Sequence, residues 1–164
     1  MRLEPLGYGP GRSSVPLQVA STVAFVVGGL LVLWSGTLHF HLWQKVGYRH
    51  IPTIGPLYLV QSVAAVVVGV LVIAVRRVWV AIAGAGFALS TMVGFLISVE
   101  HGLFGFKDSW SAPFAHQALA VDIAAIVVLA AAGGLCLYGP TSVHPSTRPS
   151  GTEASSGLAT APNT

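Results

Sequence analysis

The chain has 164 residues, of which 54% are hydrophobic and only 8% charged, and its mean hydropathy is +0.76. Soluble domains carry roughly 25% charged residues, so a water-soluble globular fold is excluded and an integral membrane protein is expected. The formal charge of +3 comes from eight Lys and Arg, of which only Arg76 and Arg77 are adjacent. That spacing makes no basic patch, so no nucleic-acid partner is expected, and the arginines read as topology determinants.

Residues 1–16 hold Arg2 and Arg12 among glycines and prolines, show no apolar period, and are expected to be mobile. The apolar run that follows is too long for the h-region of a cleavable leader, so it is expected to persist as an anchor. The first transmembrane helix is predicted at about 17–43, with Gly28 and Gly29 near its middle, where small residues let a neighbouring helix approach. Its last turns carry Ser35, His39, His41 and Trp43.

The first connection, with Lys45, Tyr48, Arg49 and His50, ends in a segment bracketed by Pro52 and Pro56. A residue before proline is pushed towards extended geometry, and Pro56 suits the first position of a helix. The second helix is predicted at 57–75 and the third at 78–99, with Arg76-Arg77 as a tight reversal between antiparallel neighbours. The third has a small-residue run through Ala81, Ala83, Gly84, Ala85 and Gly86, read as a packing face. Glu100 to Ala115 is rich in aromatics and is expected in the headgroup layer. The fourth helix is predicted at 113–138, stopped by Gly139-Pro140, and 139–164 is expected to be a disordered tail.

These elements make an all-α fold: a four-helix transmembrane bundle, up-down-up-down, with disordered termini. Counting Lys and Arg by side gives five (Arg2, Arg12, Arg76, Arg77, Arg148) against three (Lys45, Arg49, Lys107). The bias predicts both termini in the cytoplasm and a multi-pass protein of the plasma membrane.

In that topology the end of helix one, the end of helix three and the start of helix four share one membrane face. His39, His41, His50, Glu100, His101, His116 and Asp122 gather there. An ionisable side chain at the centre of a span costs about 2.5–3.5 kcal/mol on insertion scales, so intramembrane charges are functional by default. Asp122, about six residues past His116, must face the bundle interior, face a polar cavity, or be protonated. Its structural alternative is a hydrogen bond to Gln61, Ser98 or a histidine. His39 and His41 point about 200° apart on a helix, and His39, which shares a face with Ser35 and Trp43, is taken as the inward one.

His39, His101 and His116 are the candidate cofactor ligands. Glu100 and Asp122 join them as candidate metal ligands or as groups that orient the histidines. His41 reads as an interfacial residue, His50 as a surface residue, and Cys136 as a buried inert thiol. No HExxH, P-loop, dinucleotide fingerprint or GxSxG elbow occurs.

The stretches HFHLW (39–43), GYRHIPTIGP (47–56) and EHGLFGF (100–106) resemble small four-helix integral membrane proteins of actinobacteria. The resemblance covers about 17–138 and implies the fold without an activity. The architecture is also similar to DoxX-like and cytochrome-b-type proteins, whose motifs do not match residue by residue.

The leading expectation is a binding module in the bilayer that holds a transition metal or haem for redox chemistry or metal handling. The alternative is a non-enzymatic accessory subunit, packing against a membrane-protein partner or a second copy of itself. A proton-coupled carrier working through Asp122 is the third.

Overall fold

The computed structural model describes residues 14–138, all helical apart from short connections. Residues 1–13 and 139–164, and with them the expected tail and His144, lie outside the described residues. The four long helices are α1 (Ser14–His41), α2 (Ile54–Val75), α3 (Val78–Glu100) and α4 (Ala115–Tyr138). Each is long and apolar enough to cross a membrane. Valines, leucines and tryptophans stay exposed along their outer faces, among them Val23, Leu30, Val63, Val70, Trp79, Ile82 and Val127. Such an apolar exterior is what a lipid-facing bundle presents; the chain is a multi-pass membrane protein.

Helix ends differ from the expected ones for local reasons. Ser14 to Pro16, expected to be mobile, form the first turn of α1. An N–H in the first turn has no intrahelical carbonyl to bond, so the N–H that proline lacks is not missed and Pro16 fits there. α2 begins three residues early, at Ile54, which puts Pro56 third rather than first, still within the turn that needs no N–H donor. α4 begins at Ala115, because Phe114 is held at φ 63, outside helical geometry. Beyond α1 the chain widens into a π turn (Leu42–Val46), reverses at Gly47 (φ 97), tightens into a 3-10 turn (Tyr48–His50), and passes extended through Ile51 into Pro52.

Around the bundle, α1 lies between α2 and α4, and α3 packs on α4. Of the helix pairs adjacent around the bundle, α2 and α3 meet least, although two arginines join them. The core runs through Phe25, Val32, Ala65, Val72, Ala81, Ala125 and Leu129. The tightest crossing is between α1 and α2. A Cβ placed on Gly29 would lie 2.9 Å from the Gly69 carbonyl oxygen, and one on Gly69 would lie 3.0 Å from the Gly29 carbonyl oxygen. Only glycine at both positions allows these backbones to touch. On α3 the small-residue run divides by face: Ala81 and Gly84 are buried, while Ala83 and Gly86 face outward.

α3 ends in a left-handed glycine cap. Gly102 (φ 83) donates its N–H to the carbonyls of Ile97 and Ser98, both at 3.1 Å. The third connection then folds back over the end of the bundle. Leu103 and Phe106 pair across a tight turn (2.6 and 2.9 Å), and the Asp108 N–H returns to the Ser98 carbonyl at 3.3 Å. Phe106 lands on Tyr48 of the first connection, ring centroids 5.7 Å apart. The two connections thus form one cap on one end of the bundle.

Candidate functional site

Ser35 and His39 are one turn apart on the inner face of α1 and share a pair of hydrogen bonds. The Ser35 hydroxyl donates to Asp122 Oδ1 on α4 at 2.8 Å, and both residues are only 2% exposed. The His39 ring nitrogen Nδ1 donates to the Ser35 carbonyl at 2.8 Å. A neutral imidazole that donates through Nδ1 keeps its lone pair on Nε2, so that atom is an acceptor. Ser35 is therefore the joint that positions both titratable groups.

An aromatic row climbs from His39 to the cap. His39 and Tyr58 have centroids 5.2 Å apart, Tyr58 and Tyr48 4.9 Å, and Tyr48 then meets Phe106. The Tyr48 hydroxyl donates to Asp108 Oδ1 at 3.4 Å, and the Ser109 N–H donates to the same oxygen at 2.9 Å. Tyr48 lies in the connection, outside the spans. Burial, and then the charge and hydrogen bond of Asp108, push its phenol up to about 12.

These groups line a cavity of about 320 Å³ between α2, α3 and α4, roofed by the two connections. Its volume falls in the range of small-molecule sites, roughly 300–1,000 Å³. The exposed lining residues Leu57 and Val60 on α2 and Ser90 on α3 put its edge between these helices, where the Gln61 amide donates across to the Thr91 hydroxyl. Asp122 lies among the lining residues, and its Oδ2 takes no hydrogen bond from the described residues. Ser98 also lines it, 6% exposed, its buried hydroxyl without a hydrogen-bond partner. Val60, Ser90 and Phe114 belong both to the lining and to the outer surface, so the cavity communicates with the exterior of the bundle.

Of the five candidate ligands, the structure brings two together: His39 and Asp122, joined through Ser35. Glu100, His101 and His116 are exposed. On α3 it is Ser98 and Val99 that turn inward, so the next two residues turn out. On α4 the buried positions Ala115 and Asp122 are seven apart, two turns of helix, and share a face. His116 is one position off that register, and its ring lies 6.2 Å from Trp110. Among the described residues no group of three or more His, Cys, Asp or Glu could hold a metal ion. His41 is exposed with its ring edge-on to Phe114 at 5.4 Å. His50 is exposed and accepts from Arg49 Nε–H at 3.0 Å.

Sequence reasoning overlooked Tyr48, Tyr58, Thr91 and Asp108 as site residues, and the partner of Asp122 is Ser35 rather than Gln61, Ser98 or a histidine. One signal was present: Ser35 had been placed on the face of His39, and a serine there is the nearest donor for a carboxylate on the neighbouring helix. Comparison with known protein families, curated proteins and solved structures finds no match to this chain.

Proposed function

We propose that this is a membrane-embedded binding protein whose cavity takes one small amphipathic molecule from the bilayer. The observation that carries this reading is the cavity itself. It is mostly apolar, reached between α2 and α3, and holds two polar groups without partners among the described residues: Asp122 Oδ2 and the His39 lone pair. A ligand that fills it would satisfy these atoms, which otherwise remain costly in a low-dielectric interior.

Hydrogen bonding and apolar contact serve this ligand better than metal or haem ligation, because His101, His116 and Glu100 stand outside the cavity. The lysine and arginine bias supports an orientation with the cavity in the outer leaflet of the plasma membrane.

Gly94 provides the test. It lines the cavity, and a Cβ placed there meets nothing within 4 Å, so Gly94→Leu fills the space without forcing the backbone. Protein incubated with a lipid extract of its host membrane and released from nonionic detergent into a mass spectrometer should retain a bound species. Gly94→Leu should lose it. Equal retention by both proteins refutes the reading.

A further inference from the structure

Only acidic groups and one histidine bring titratable charge to the cavity from the elements around it. Asp122 comes from α4, Asp108 from the third connection and His39 from α1, and no Lys or Arg is among the lining residues. Arg49 and Lys107 belong to the same connections and are exposed, outside the lining. Aromatic rings form much of the remaining wall: Tyr48, Tyr58, Phe95 and Phe106. A ring face carries partial negative charge and attracts a cation. The carboxylate of Asp122, 2% exposed and bonded through only one oxygen, lacks a positive partner from the described residues.

On this basis, and resting on the ligand-binding reading above, we propose that the ligand is a lipophilic cation. Its charged nitrogen sits beside Asp122 against the Tyr58 ring, and its apolar tail leaves between α2 and α3. An N–H-bearing ammonium has two acceptors in reach of the cavity, Asp122 Oδ2 and His39 Nε2, whose lone pair is left free by the bond from Nδ1 to Ser35. An anionic head would meet two acidic side chains and no cation, which disfavours it. Asp108 is a weaker counter-charge, because its Oδ1 already accepts from Tyr48 and Ser109.

Three probes with one decyl chain separate the possibilities: decylammonium, decanol and decyl sulfonate. Each is titrated against the full-length protein in nonionic detergent, with bound probe counted by mass spectrometry and Gly94→Leu as the measure of micelle-borne background. The ammonium should bind wild type about tenfold more tightly than decanol, the ratio expected for one charge contact plus ring contacts. The sulfonate should not rise above background. Asp122→Asn, which keeps an oxygen for the Ser35 hydroxyl, should bring the ammonium to the level of decanol.

If decanol or the sulfonate binds wild type as well as the ammonium, and Gly94→Leu removes that binding, the cation is wrong and the cavity stands. If no probe distinguishes wild type from Gly94→Leu, both readings fall. Unchanged ammonium affinity in Asp122→Asn overturns the assignment of the charge contact. The three-probe comparison on wild type holds its value even where that variant does not fold.

Discussion

Replacing Gly29 by Ala adds one methyl group where α1 and α2 touch. The new Cβ would lie 2.9 Å from the Gly69 carbonyl oxygen, a backbone atom that cannot rotate away. Overpacking of this kind costs about 1–3 kcal/mol. The same substitution at Gly86 meets nothing within 4 Å, so it carries no packing cost. Alanine is favoured over glycine inside a helix by about 1 kcal/mol, and that term is common to both positions. It cancels in the difference, so Gly29→Ala should be less stable than Gly86→Ala by about 1–3 kcal/mol. Reversible unfolding with increasing SDS fraction in mixed micelles, followed by helical circular dichroism, measures the difference. A Gly86→Ala protein as unstable as Gly29→Ala would refute the crossing described here, and would point to a partner seated on the outer face of α3.

Ser35→Ala and Asp122→Ala should be coupled in a double-mutant cycle by about 0.6 kcal/mol, the average for interhelical hydrogen bonds in membranes, and by no more than about 1.7; additive effects would mean that the Ser35–Asp122 bond contributes nothing. His39→Ala should weaken binding of a cavity ligand severalfold, whereas His116→Ala should leave it unchanged, as read by retention of the decyl probes; equal losses would place His116 in the site. Tyr48 should ionise near pH 12 in an absorbance titration, and Asp108→Asn should lower that value part of the way, since burial is the larger cause. The neutral phenol is the form favoured by folding, so its contribution to stability is complete below a free tyrosine's value of about 10 and is lost as pH rises through about 12. Unfolding measured on either side of that window checks the sign.

The four spans were legible because an apolar run of about 20 residues has one economical fate in a bilayer, and their alternating directions followed from short connections. The level of the polar groups was legible for the same reason: counting residues along a helix gives depth. Rotation about each helix axis was not. α1 to α4 are apolar on nearly every side, so hydropathy offers no stripe to separate the inner face from the lipid face. Reading His39 inward and His41 outward succeeded because a 200° separation forces a choice and Ser35 marked one face. His116 was taken as a ligand from its place at the start of the fourth helix, and it lies one position off the register of Ala115 and Asp122. The roof was illegible for another reason. Tyr48 and Asp108 are 60 residues apart in sequence and meet only because the third connection folds back on its Gly102 cap.

The sequence by itself determined that the chain spans a membrane through four helices and that five of its six histidines and its intramembrane acid collect at one end. Tertiary structure decided which of them share a cavity. Depth is additive along a chain at about 1.5 Å per residue, whereas azimuth depends on how neighbouring helices pack. Here that packing is set by glycine contacts such as Gly29 on Gly69, which bring α1 against α2, and by the divergence of α2 from α3, which leaves the space lined by His39, Tyr58 and Asp122.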